Sequence, residues 1–174
     1  MDYKIKSLIR LSKYLLISIL FFFINVQITN AEFKDDIDDK FKKSTLLISA
    51  TKHSCYFFNI YLAITNEERR RGLMYVRKLP LDSGMMFIYP TNRILSIWMK
   101  NTYIPLDIIF FKEDGHITNI YKNAKPLTLN SRQSSRAVKY VLELNGGVTE
   151  KLFIDENSRI LLLDYTTALI AEAK

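Results

Sequence analysis

The stretch Gly84 to Phe111, GMMFIYPTNRILSIWMKNTYIPLDIIFF, constrains this chain more than any other part of it. Two runs of β-branched and aromatic residues, Ile94 to Met99 and Leu106 to Phe111, flank a polar corner that Pro105 closes, because proline fixes φ and has no N–H to give. The pattern predicts strand, loop, strand. That tilts the expectation towards a compact β-rich domain. Composition agrees: 48% of the residues are hydrophobic and 13% aromatic, with only 5 Gly and 4 Pro, which suits one compact domain with short connections.

Within the block, alternation sets Leu95, Ile97 and Met99 on one side and Ser96, Trp98 and Lys100 on the other. In the second run Asp107 shares a side with Ile109 and Phe111, and further on Glu143 lies between Val141 and Asn145 in another apolar strand. A carboxylate in such company needs hydrogen bonds or a charged partner. We expect Asp107 to accept hydrogen bonds from Lys100 or from the amides and hydroxyl around Thr102, and so to fix the loop that presents Trp98. Trp98, Lys100, Asn101, Thr102, Asp107 and Glu143 are the candidate ligand-binding residues. No residue is assigned a catalytic role. Asp107 and Glu143 could serve as a pair of carboxylates in a hydrolase, or could tie down loop amides and Lys100 instead.

Residues 1–31 have the order of a secretory signal: a basic start, an apolar run from Tyr14 to Ile24, and Thr29-Asn30-Ala31 at the cleavage position. The alternative is an uncleaved anchor in the inner membrane, the only membrane contact we expect. Lys4, Lys6, Arg10 and Lys13 against Asp2 put +3 of the net +7 into this segment. The remaining +4 is too mild, and too scattered, for a nucleic-acid protein. Residues 32–43 are a charged linker, either a tether or an amphipathic arm through Phe33, Ile37 and Phe41, with the tether favoured because so short a helix is marginal alone. The domain spans 44–164, and 165–174 form a tail.

Along the domain, Thr45 to Ala50 and Cys55 to Ile64 read as a hairpin. Thr65-Asn66-Glu67-Glu68 reads as a capping box that opens a short helix, with Arg69 to Arg71 in its last turn and Gly72 as its C-terminal cap. Met85 to Tyr89 is a strand, Pro90-Thr91-Asn92 a turn, and Asp114-Gly115 the tip of a type I′ hairpin. A long polar connection runs from Lys122 to Ser135. Ala137 to Leu144 is a strand, Val148 to Ile154 a helical turn, and Arg159 to Asp164 the last strand. His53 and Cys55 are a weak metal signal, and Met74, Met85, Met86 and Met99 are core filler before they are copper(I) ligands. We expect no bound metal and no cofactor. The single cysteine leaves stability to the core.

Gly72-Leu73-Met74, Gly84-Met85, Trp98-Met99-Lys100-Asn101-Thr102, Pro105-Leu106-Asp107 and Val141-Leu142-Glu143 make the chain resemble the bacterial family called domain of unknown function 192, over about residues 44 to 164. The resemblance implies a compact antiparallel β-sandwich of jelly-roll character with one or two short helices, and the count of about eight strands agrees with it. It places Asp107 and Glu143 in the family signature without giving them a role. Asp155-Glu156-Asn157-Ser158 departs from the Gly-Asp that the family commonly has at that turn. The expectation is an exported, monomeric, non-catalytic module of the periplasm or cell envelope that binds a small ligand, glycan or envelope protein.

Overall fold

A computed structural model describes residues 37–51 and 53–164. The signal segment 1–31, the start of the charged linker and the tail 165–174 lie outside the described residues. The chain is mainly β, as its apolar runs predict. Among the described residues, nine strands and three short helices follow in the order α1 (Ile37–Lys40), β1 (Lys42–Ala50), β2 (Ser54–Ala63), α2 (Asn66–Arg71), β3 (Ser83–Arg93), β4 (Ser96–Ile97), β5 (Leu106–Phe111), β6 (Ile117–Ala124), β7 (Arg132–Gln133), β8 (Val138–Asn145), α3 (Val148–Lys151) and β9 (Arg159–Asp164). Seven strands form one sheet, β6-β5-β8-β3-β2-β1-β9, and β4 pairs with β7 apart from it. Every pair in the large sheet is antiparallel except β2–β3, which α2 and the loop after it connect as a parallel crossover.

The sheet curls until its ends meet. Ile160 of β9 donates its N–H to Gly115 O at 2.9 Å, beside a His116–Arg159 bridge. Gly115 has φ +82°, and a Cβ there would stand 2.8 Å from the Ile160 carbonyl oxygen, so the contact requires glycine. Glu113 and Asp114 keep negative φ, which makes the tip a turn with glycine in the left-handed position rather than the expected type I′.

Alternation along each strand divides the apolar side chains between two faces. Inside the curl lie Leu46, Ile48, Phe58, Ile60, Leu62, Met86, Ile109, Phe111, Leu142 and Leu144. On the outer face Tyr61, Met85, Phe87, Tyr89, Ile108, Phe110 and Val141 pack under Ile37, Phe41, Leu73, Val76, Leu95, Ile97 and Met99. The expected core residues Met85, Phe87, Ile97, Met99, Ile108, Phe110 and Leu142 are all buried.

Three expectations change here. Ile37 and Phe41 are buried, and β1 begins at Lys42, so the charged segment joins the fold from Ile37 on instead of hanging as a tether. Pro90 does not end a strand: β3 continues to Arg93, and an irregularity against β8 between Ile88 and Arg93 absorbs the missing N–H. The run Ile94 to Met99 forms only the two-residue β4, yet Leu95, Ile97 and Met99 are buried while Ser96, Trp98 and Lys100 are exposed, as alternation predicts.

The helix α2 has the capping box read from its sequence. Thr65 Oγ1 accepts from Glu68 N at 3.1 Å, and Glu68 Oε2 accepts from Thr65 N at 2.8 Å. Gly72 ends it at φ +47°, where a Cβ would press on the Phe87 ring at 3.1 Å. At the last turn, the place of the family's Gly-Asp is filled by side chains, with Asp155 N donating to Ser158 Oγ at 3.1 Å.

Candidate functional site

The two acids separate. Across β5–β8, Asp107 stands opposite Leu144 and Ile108 opposite Glu143. Cross-strand partners share a face and sequence neighbours do not, so Asp107 points into the curl and Glu143 points outward. They cannot act on one bond, and the paired-carboxylate reading is set aside for that reason.

Asp107 is fully buried. Its Oδ1 accepts from Asn123 N at 2.8 Å and Gly147 N at 3.0 Å, and its Oδ2 accepts from Thr149 N at 2.8 Å and Thr149 Oγ1 at 2.7 Å. Gly147 precedes α3 and brings no side-chain cap, so Asp107 supplies from β5 what the N-cap lacks. The expected partners around Lys100 and Thr102 are the wrong ones. The corner is held by others: Thr102 N donates to Met99 O at 3.2 Å, Met99 N to Thr128 O at 3.0 Å, Leu127 N to Thr102 O at 3.1 Å and Tyr75 N to Asn101 O at 2.8 Å. Asn101, at φ +55°, also donates from Nδ2 to the Tyr75 hydroxyl at 2.9 Å.

Glu143 goes to the place that matters. It lines an open cleft of about 910 Å³ on the outer face, together with Trp98, Lys100, Asn101 and Thr102. Five of the six candidate residues therefore converge, and Asp107 is the exception. The cleft runs between α2, the outer end of β3 and the corner after β4. Apolar Leu73, Phe87 and Ile97 line it, and Arg69, Arg70, Arg71, Arg93 and Lys100 give it a basic rim.

Cleft residues outside the six candidates include Arg69, Tyr89 and Arg93. Arg69 reads from sequence as a helix-end charge, but it is built into the wall, donating to the carbonyls of Ile64 and Ile88 and to Asn66 Oδ1, with its guanidinium 4.9 Å from the Tyr89 ring centre. Arg93 stacks on the same ring, also at 4.9 Å. The spacing of Tyr89 and Arg93 hides their proximity, because the Pro90 irregularity brings it about. Trp98 keeps 54% of its surface exposed, with Lys100 Nζ 5.7 Å from its ring centre.

Glu143 is 4% exposed, and burial pushes its carboxyl up to about 8. Burial also raises the Tyr89 phenol, against the pull of Arg69 and Arg93, and the Glu143 charge adds to the rise. The metal reading finds no support in geometry: Met85 and Met86 occupy opposite faces of β3, and among the described residues no three His, Cys, Asp or Glu side chains cluster as a metal would need.

A curled seven-strand sheet with a basic cleft on its outer face defines a small, mainly β domain. The chain belongs to the family domain of unknown function 192, described as an uncharacterized ACR, whose model matches residues 47–162. It is similar to the crystal structure of a proposed transcription regulator from Sinorhizobium meliloti, at 35% identity over 69% of this chain and 93% of that one, with a TM-score of 0.67. It is similar also to a protein of unknown function from Novosphingobium aromaticivorans, at 32% identity over 69% of this chain and 85% of that one, with a TM-score of 0.66. No curated protein matches.

Proposed function

We propose that this protein is an exported, non-catalytic binding module of the periplasm or cell envelope, which takes a small ligand or glycan in the cleft beside Trp98. The observation that carries the reading is the convergence of Trp98, Lys100, Asn101, Thr102 and Glu143 on one open cleft of about 910 Å³. That volume suits a small molecule. The reading is non-catalytic because the two candidate acids do not meet: Glu143 lines the cleft, while Asp107 is behind the sheet and fully engaged by Asn123, Gly147 and Thr149. Export rests on the basic, apolar and small-residue order of residues 1–31.

Trp98 is the only tryptophan of the chain, so its emission reports on the cleft alone. The test is a metabolite and glycan screen read by Trp98 fluorescence and by thermal shift. Binders should move both signals, and Trp98→Phe should lose the optical change while keeping the thermal one. Ligands that raise the melting temperature without touching Trp98 emission would put the site elsewhere.

A second reading has the name of the Sinorhizobium relative behind it: nucleic acid lying along the basic rim. Adding duplex DNA in the same assay separates the two, since it should leave Trp98 unchanged if the cleft is a small-molecule site.

A further inference from the structure

Two polar groups of the cleft are left unanswered by the protein. Glu143 lies among Met85, Phe87, Ile108 and Val141, and among the described residues no hydrogen bond or ion pair reaches its carboxyl. Tyr89, 8% exposed, lines the same cleft, and among the described residues its hydroxyl has no hydrogen bond either. Both groups can donate and accept, Glu143 because burial keeps it in the acid form near neutral pH. Buried polar groups are ordinarily matched, so a pair facing a cleft without partners asks for them from a ligand.

The rim shows the converse. Arg70, Arg93 and Lys100 border the cleft with no ion pair among the described residues; Arg93 lies over the Tyr89 ring and Lys100 over the Trp98 ring. Arg69 differs, because two carbonyls and Asn66 hold it.

Building on the cleft-binding reading above, we propose that the ligand is a hydroxylated organic anion, a sugar acid or sugar phosphate. Its charged group sits among Arg70, Arg93 and Lys100, and its hydroxyls meet the Glu143 carboxyl and the Tyr89 hydroxyl. A hydroxyl both donates and accepts, which matches a neutral carboxylic acid and a phenol at once. An apolar ligand would seal both groups in without partners, and a cation would be repelled by the rim.

The acid at the floor also makes binding depend on pH. Glu67 and the three arginines of α2, Tyr89 and Arg93 of β3, and Lys100 of the corner are the charged or titratable groups that share its cleft. When Glu143 ionises it loses its donor proton and sets a like charge beside the bound anion, so affinity falls as the pH passes about 8.

The experiment titrates the full chain with four probes, a hexose 6-phosphate, galacturonic acid, a neutral hexose and inorganic phosphate, read by Trp98 emission. At least one of the two charged sugars should bind saturably, and which one separates the phosphate from the carboxylate source. That binding should weaken when salt rises from about 0.05 M to about 0.5 M. Arg93→Ala and Lys100→Ala should each weaken it about tenfold or more. Glu143→Gln, which keeps a donor and cannot ionise, should lose the fall in affinity between about pH 7 and about pH 9, whatever its affinity near neutral pH. Circular dichroism of each variant confirms that it is folded, and either cation variant suffices if the other is not.

A neutral hexose that matches the charged sugars overturns the anionic class and leaves the cleft reading standing. Inorganic phosphate that matches them overturns the hydroxyl contacts, and silence from all four overturns the ligand class. A charged sugar that binds equally to the cation variants, with Trp98 emission unmoved, overturns both readings together.

Discussion

Asp107 and Glu143 stand on neighbouring strands one register step apart, with the sheet itself between their carboxyl groups. One is saturated by three backbone N–H groups and a hydroxyl, and the other has no protein partner among the described residues. A carboxyl group thus does a folding task on one side of the sheet and lines the open cleft on the other.

Asp107→Asn should destabilise strongly and leave the cleft alone. An amide cannot accept at both ends, so at least one buried donor is left without a partner, at a cost of about 1–3 kcal/mol for each. Urea unfolding measures the loss. A change under about 0.5 kcal/mol would mean that the carboxylate is not holding α3.

Glu143 should make stability fall with pH. Its folded value, raised to about 8 from an ordinary 4.5, means the folded state keeps a proton that the unfolded chain releases. The contribution is therefore unaffected below about pH 4.5, worsens as the pH rises from there to about 8, and then levels off. The total is on the order of a few kcal/mol. Glu143→Gln should flatten that slope and be the more stable protein at about pH 8. Parallel melts of the two proteins decide it, and equal slopes would show that the carboxyl ionises freely in the fold.

Phe110 is fully buried on the outer face, edge-on to Tyr121 at 6.1 Å between ring centres. Truncation to Ala should cost about 3–5 kcal/mol. Thr65→Ala, which removes half of the α2 capping box, should cost about 1 kcal/mol. An order reversed between these two in chemical denaturation would mean that α2, not the sheet, governs the cooperative unit.

Export predicts an envelope-located chain whose first residue is Glu32, after cleavage behind Ala31. Terminal sequencing of protein from fractionated cells is the check. An intact Met1 in the soluble cytosolic fraction contradicts it.

Much of the architecture was legible because it depends on neighbours in sequence. The β1–β2 hairpin, the capped α2, the Asp-Gly turn and the alternation of Leu95, Ile97 and Met99 are all local patterns. The partners of Asp107 were not legible, since Asn123, Gly147 and Thr149 are far along the chain and come to it only when β6 and β8 flank β5. A local rule pointed to Lys100 and Thr102, and the sheet order decided otherwise. The cleft was half legible: its corner is one continuous motif, while Arg69 and Tyr89 reach it through the parallel β2–β3 crossover.

Strand β8 serves two chambers by parity. From Tyr140 on, even-numbered side chains fill the inside of the curl and odd-numbered ones build the outer face, so Leu142 and Leu144 belong to folding while Glu143 belongs to the cleft. A single residue inserted or deleted ahead of Glu143 would exchange the two sets, driving the carboxyl into the apolar interior and emptying the cleft floor of its acid. This short strand can therefore drift in composition but not in length.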